Sequence, residues 1–277
     1  MKSGQTISHY KIIEKLGEGG MGVVYKAHDT KLDRTVALKF LPSHIGADDE
    51  EKKRFINEAK AASALDHNNI CSIYSIEEDD AGNIFIVMAY YEGMSLKEKI
   101  EQSPLPLTDA VQYSIQIASG LQKAHKKGVI HRDLKPENLF ITYDNQVKII
   151  DFGLAKAAQR TMLTKTGTTL GTVPYMSPEQ AQGSTVDHRT DIWSLGMVMY
   201  EMITGKLPFK SEYDSALVYS IVNEDPEPVT GLRSGVPMEL ERIINKCLEK
   251  EPADRYQHND ELAVDLRKVE KEISSGI

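Results

Sequence analysis

Cysteine is scarce: Cys71 and Cys247 are the only two in 277 residues, and each sits in an apolar pattern. That excludes a disulfide framework and reads as two buried thiols in a reducing compartment. Positive charge is not in excess either, with 33 Lys and Arg against 41 Asp and Glu and a formal net charge of −8. A nucleic-acid binder would show a basic stripe, so that class is excluded. The longest apolar run, Ile84 to Tyr91, falls far short of the ~20 residues needed to cross a bilayer. The opening Met1-Lys-Ser-Gly-Gln has no signal-peptide core. The expected location is therefore the cytoplasm, or the cytoplasmic face of a membrane if the chain is the catalytic part of a longer protein. No internal repeat or low-complexity tract is present. What remains is ordinary for a soluble protein, 40% hydrophobic and 27% charged, and long enough for one large domain or two lobes with real cores.

The most informative stretch is His131-Arg-Asp-Leu-Lys-Pro-Glu-Asn138, a polar octet between the apolar runs Gly128–Ile130 and Leu139–Ile141. Short β-prone runs on both sides predict a loop held at its ends by strands. It carries an acid (Asp133), a cation two residues on (Lys135) and a carboxamide five residues on (Asn138). A further strand, Val147–Ile150, ends at Asp151-Phe-Gly153. Two carboxylates and an amide oxygen at adjacent strand ends can bind a hard divalent cation, leaving one carboxylate to take a proton. This is chemistry for phosphoryl transfer from a magnesium nucleotide. Taken singly, each motif is as well explained by a surface ion pair or a turn; order and spacing along one chain decide.

Upstream, Tyr10–Leu16 alternates as a strand, followed by Gly17-Glu-Gly-Gly-Met-Gly22 and a second strand, Val23–Ala27. A dinucleotide-binding turn would need a helix directly after the glycines. β-Branched and aromatic residues follow instead, so the glycines sit in a hairpin, where backbone N–H groups can lie flat over phosphates. A third strand, Thr35–Lys39, ends on a lysine, which would either snorkel to solvent or find a partner. The predicted helix Gly46–Leu65 offers one, because its inner stripe is Phe55, Glu58, Ala62, Leu65 and a glutamate there is costly to bury unpaired. Cys71–Glu77 and Ile84–Ala89 read as a hairpin. A helix of about five turns is predicted between Thr108 as N-cap and Gly128 as stop. Asp191–Ile203 is apolar on nearly every face and so is buried; Asp191 there is costly unless it bonds backbone. Helices at Glu239–Leu248 and Asp260–Ile273 complete the chain.

In combination and in this order, from about Tyr10 to Arg255, these motifs resemble the Ser/Thr protein kinases. The resemblance implies an α+β, two-lobed protein kinase fold: a small antiparallel β-sheet lobe with one helix (about 1–90), a hinge at 89–93, and a larger, mostly helical lobe (about 94–277), all one kinase domain spanning 1–277. It implies ATP and Mg2+ as cofactors, with Mn2+ a possible substitute, and proteins bearing Ser or Thr as substrates. Gly17, Glu18, Gly19, Gly20 and Gly22 would cover the phosphates, and Val24, Ala37 and Phe140 would sandwich the base. Met88 would be the gatekeeper, with backbone groups of Ala89 and Tyr91 bonding the purine edge. Lys39, paired with Glu58, would hold the α- and β-phosphates, and Asn138 and Asp151 the metal. Asp133 would accept the hydroxyl proton while Lys135 steadies the γ-phosphate.

Lys135, and Gly171-Thr-Val-Pro-Tyr-Met-Ser-Pro-Glu179 with Thr172 bridging Asp133 and Lys135, favour Ser or Thr over Tyr as acceptor. Ser177 stands where alanine is commoner, with no obvious cost. Asp191 would brace the catalytic loop through backbone bonds, and Glu179 would pair with Arg255. Thr161, Thr164, Thr166, Thr168 and Thr169 form either a solvated polar loop or an autophosphorylated activation segment, most plausibly at Thr164, Thr166 or Thr168. Arg132, Lys156 and Arg54 match places that line the phosphate pocket of such a segment. The phrases Gly-Glu-Gly-Gly-Met-Gly-Val-Val-Tyr-Lys-Ala and Tyr-Met-Ser-Pro-Glu-Gln-Ala, with Ala62, look most like bacterial eukaryotic-type (Hanks-type) kinases. A nucleotide-binding scaffold would have lost Lys39, Asp133, Asn138 or Asp151, and a small-molecule phosphotransferase would tend to lack the Thr172–Glu179 platform. Neither departure is seen.

Overall fold

Strand β1 (Thr6–Ile7), β2 (Tyr10–Gly19), β3 (Gly22–Asp29), β4 (Arg34–Phe40), β5 (Ile73–Glu78) and β6 (Ile84–Ala89) form one antiparallel sheet in the order β1-β2-β3-β4-β6-β5. The computed structural model describes residues 2–19, 22–41, 49–152 and 173–275. Cross-strand register assigns the faces of the sheet, because directly opposed residues project to the same side and neighbours along a strand to opposite sides. Val24 opposes Lys39, which opposes Ile86, and Lys26 opposes Ala37, which opposes Met88. Val24, Ala37, Lys39, Ile86 and Met88 thus share one face, over which helix α1 (Asp49–Ser63) supplies Phe55 and Ala59. On the opposite face Tyr10, Tyr25, Phe40 and Phe85 pack with Ile12 and Leu38, Phe40 and Phe85 stacking at 4.9 Å between centroids.

The second lobe begins with a small sheet of β7 (Gly93–Ser95), β8 (Leu139–Thr142) and β9 (Val147–Ile149). Its helices are α2 (Leu96–Gln102), α3 (Leu107–His125), α4 (Pro178–Ala181), α5 (Arg189–Thr204), α6 (Asp214–Asn223), α7 (Val229–Leu232), α8 (Met238–Cys247) and α9 (Asn259–Ser275). Every residue of α5 from Thr190 to Ile203 is buried, so this helix is the axis of the lobe, as its unbroken apolar surface predicts. Gly196 permits that, since a Cβ there would stand 2.7 Å from Cys247 Cβ of α8. Among the described residues no helix is long and apolar enough to cross a membrane. Cys71 and Cys247 are free and buried, and burial pushes the Cys71 thiol up to about 12.

Several boundaries differ from the sequence expectation, those of two elements for evident local reasons. Helix α3 starts at Leu107 with Pro106 as its N-cap, not at Thr108; the proline holds extended backbone (ψ 142°), and its C=O accepts the Ala110 N–H at 3.0 Å to open the helix. It ends at His125, and Gly128, at φ 73°, closes the turn after it. Strand β5 starts at Ile73 rather than Cys71, because the Cys71 N–H donates to Ile149 O of β9 at 2.9 Å, and Ile70 also bridges to Ile149. Cys71, expected to begin a strand of one lobe, instead joins Ile70 in pinning that lobe to the other.

Candidate active site

The octet is held from three directions. His131 is fully buried; its Nδ1 accepts from the Asp133 N–H at 3.3 Å, so its Nε2 carries the proton and donates to Ile150 O at 2.9 Å. Ile150 N–H in turn donates to Asn138 O at 2.9 Å. Both bonds tie the loop to the residue just before Asp151. From α5, Asp191 accepts the His131 N–H (2.9 Å, Oδ2) and the Arg132 N–H (2.8 Å, Oδ1), while His125 Nε2 lies 2.7 Å from Oδ2. Burial opposes ionisation of Asp191, yet the hydrogen bond from His125, with the charge and backbone of the loop, leaves its carboxyl below the usual range. Arg132 and Asp151 both adopt left-handed backbone, φ 66° and 62°, a conformation that non-glycine residues hold only where their surroundings enforce it.

Within this frame Asp133 is 4% exposed. Its Oδ2 accepts from Lys135 Nζ at 3.0 Å and Asn138 Nδ2 at 3.2 Å, and Asn138 Nδ2 also reaches Asp133 O at 2.7 Å. Oδ1 is buried and has no hydrogen-bond partner among the described residues. Across the cleft Lys39 Nζ lies 2.7 Å from Asp151 Oδ2. The expected ion pair of Lys39 with Glu58 is not among those made by the described residues; Asp151, drawn in through Ile150, takes the lysine instead, and Glu58 stays half-buried on α1.

Between the lobes lies a cleft of about 410 Å3 lined by Val24, Ala37, Lys39, Met88, Phe140 and Asp151. Gly17 borders it from β2, and Ala89 and Tyr91 from the hinge. The Ala89 N–H is already donated to Ser72 O at 2.9 Å, so only its carbonyl remains to meet a purine, whereas the Tyr91 N–H makes no bond among the described residues. The Tyr91 phenol faces inward, pushed up to about 12 by burial, with Lys148 Nζ 5.0 Å from its ring centroid.

Residues 10–265 match the family model described as Protein kinase domain. The chain belongs to the protein kinase family. It is 41% identical over 264 residues to a probable serine/threonine-protein kinase of Clostridium acetobutylicum, covering 95% of this chain and 40% of that one. It is 40% identical over 270 residues to the serine/threonine-protein kinase PrkC of Bacillus subtilis, covering 96% and 41%. The chain thus spans about two fifths of the length of these curated relatives. The crystal structure of the Mycobacterium tuberculosis PknI kinase domain superposes with a TM-score of 0.77 at 26% identity, covering 97% of this chain and 99% of that one.

The kinase domain does not gather every expected residue. Glu18 is exposed and pairs with Lys15, away from the cleft lining, while Gly19 and Gly22 face each other at the hairpin end. Gly20, Lys156, Thr172 and the threonines Thr161, Thr164, Thr166, Thr168 and Thr169 lie outside the described residues, as does the side chain of Arg54. Glu179 and Arg255 do meet, in a buried two-bond pair at 2.9 and 2.8 Å. Leu16, Cys71 and Ile150 also line the cleft, unanticipated. Leu16 and Ile150 directly precede Gly17 and Asp151 in sequence, a signal that could have found them. Among the described residues no group of three or more His, Cys, Asp or Glu side chains is placed to hold a metal ion.

Proposed function

We propose that this kinase domain, acting as a single unit over residues 1–277, transfers the γ-phosphoryl group of magnesium ATP to Ser or Thr hydroxyls of proteins. The observation that carries the reading is the buried Oδ1 of Asp133, without a partner among the described residues, in a loop bonded at His131 and Asn138 to Ile150, which lines the cleft together with Lys39 and Asp151. A buried carboxylate oxygen without a donor is costly, and a substrate hydroxyl supplies that donor. Asp133 then orients the hydroxyl and receives its proton as the oxygen–phosphorus bond forms. Lys135, at 3.0 Å from the other carboxylate oxygen, places positive charge beside the transferred group. Lys39 anchors the nucleotide phosphates from β4.

The donor set suits Mg2+, or Mn2+ in its place, because Asn138 and Asp151 offer hard oxygens and the described residues build no closed protein cage. Such ions are held by one or two protein oxygens plus substrate phosphates. When bound, the cation would neutralise phosphate charge as the bond to the leaving group breaks. The purine would meet the Ala89 carbonyl and the Tyr91 N–H. Bacterial relatives named as serine/threonine-protein kinases support the acceptor class. The same site would phosphorylate its own segment, at Thr164, Thr166, Thr168 or Thr169, with Arg132, Lys156 and Arg54 receiving the phosphate.

The test is Asp133→Asn assayed with radiolabelled ATP and a Ser/Thr peptide library. The expected result is retained nucleotide binding with transfer reduced at least about a hundredfold; undiminished transfer overturns the reading. Intact-mass analysis after incubation with ATP tests the self-modification, and an unchanged wild-type mass with active peptide transfer refutes it.

A further inference from the structure

Arg132, the residue before Asp133, sits at φ 66°, where a side chain with a Cβ costs roughly 1–2 kcal/mol. Both of its backbone polar groups are taken by side chains. Its N–H goes to Asp191 Oδ1 at 2.8 Å, and its C=O accepts from Gln180 Nε2 at 2.9 Å. The second bond comes from the other side of the active site, from α4, directly behind the platform Tyr175-Met-Ser177.

The far end of the Gln180 carboxamide is fixed as well. Its Oε1 accepts the Ser177 N–H at 3.0 Å and the Thr190 Oγ1 hydroxyl at 2.9 Å, and Ser177 Oγ lies 2.8 Å from Thr190 Oγ1. Ser177 and Thr190 are fully buried. Ser177 and Gln180 are also the two halves of a capping box on α4. Ser177, expected to be a costless exchange for alanine, is therefore part of a buried network. The Ser177 N–H can only donate and the Arg132 C=O can only accept, so the amide has one permitted orientation. One rigid side chain spans the gap from platform to catalytic loop. Because the Arg132 C=O lies in the same peptide plane as the Asp133 N–H, holding that oxygen sets where the Asp133 carboxylate stands.

We infer that Gln180 is a positioning residue for phosphoryl transfer, tying the acceptor platform to the backbone that aims Asp133. The inference rests on the function proposed above and adds a residue to it. Its structural role and its positional role are separable, because the oxygen of the amide serves the cap and the nitrogen serves the loop.

Gln180→Glu keeps an acceptor for Ser177 and Thr190 and removes the donor to Arg132. Thr190→Val does the reverse, removing a hydroxyl that donates to the amide oxygen and sparing the loop bond. Each is compared with wild type for melting temperature, KM for ATP and kcat on a peptide substrate. Expected for Gln180→Glu is a melting temperature close to wild type, KM for ATP within about twofold, and kcat about tenfold to a hundredfold lower, the scale of a small misplacement of a reacting group. Expected for Thr190→Val is a lower melting temperature with kcat near wild type at a temperature where it is folded. Gln180→Ala, normalised to the fraction that binds nucleotide, gives the same kcat loss should the glutamate variant not fold. Wild-type kcat in both Gln180 variants, or an equal kcat loss in Thr190→Val, overturns the inference. A wild-type protein that transfers no phosphate defeats the proposed function instead, so the two failures are distinct.

Discussion

Lys39 and Asp151 close on each other across the cleft, Nζ to Oδ2 at 2.7 Å, with side chains only 5% and 12% exposed. Each is expected to serve the nucleotide, the lysine through phosphate and the aspartate through the cation. Their pairing gives each buried charge a partner, where an unpaired charge at this depth would be expensive. Nucleotide with its cation has to replace that pair by better contacts to both groups.

Removing one member should therefore separate binding from stability. Asp151→Asn leaves Lys39 buried against a neutral group and should cost about 3–5 kcal/mol. It should also abolish the stabilisation of the wild type by magnesium ATP, which amounts to about 2.7 kcal/mol at a hundred times the dissociation constant. Thermal unfolding with and without magnesium ATP checks both. A variant that still gains the full ligand shift would remove Asp151 from the site.

Glu179 and Arg255 make the other buried ion pair that matters, tying α4 to the segment before α9. The guanidinium also reaches Glu249 O at 2.8 Å and Lys250 O at 2.9 Å. Lysine cannot form this fork, so Arg255→Lys should be nearly as damaging as Arg255→Ala, each costing about 3–5 kcal/mol. Urea unfolding at neutral pH measures it; a lysine variant with wild-type stability would show that charge alone suffices.

Asp133, Asn138 and Asp151 were legible in the chain because their chemistry is written in residue type and spacing. Of their short flanking runs, β8 and β9 form strands, whereas Gly128–Ile130, expected to hold the loop as a strand, is turn and irregular backbone. The partner of Lys39 was not legible, since Glu58 and Asp151 both offer a carboxylate. The choice depends on a backbone path through Ile150 that no local pattern encodes. Gln180 escaped notice because its partner is a backbone carbonyl 48 residues away, and any residue could have supplied that. The start of β5 was misread because Cys71 has a strand-like side chain but spends its N–H on β9.

Gly93 closes the hinge at φ 151°, and a Cβ built there would lie 2.0 Å from Ile141 O. That atom is backbone within the β7–β8 pairing and cannot yield without breaking the small sheet that carries Phe140. Gly93→Ala should therefore destabilise by about 3 kcal/mol or more and weaken nucleotide binding through the displaced hinge. Differential scanning calorimetry with nucleotide titration decides; a variant unchanged in both would mean that the hinge relaxes freely.

Asp191 makes the acid limb of stability informative. Its carboxyl is held below the ordinary aspartate value of about 3.9, so the unfolded chain takes up this proton at a higher pH than the folded one. The stabilisation it contributes is then complete above about pH 4 and is lost as pH falls through the lower folded value. Asp191→Asn removes that titration and also sets an amide N–H₂ against the backbone N–H of His131 or Arg132, since both loop contacts are donors. At pH 7 the variant should be about 3 kcal/mol less stable and slower in transfer. Between pH 5 and the most acid condition at which both proteins still fold, the gap should narrow, because only the wild type is losing this contribution. Urea midpoints for the pair across that range measure the double difference. A gap that stays constant would mean that Asp191 does not titrate there, and that its bonds to the loop do not depend on its charge.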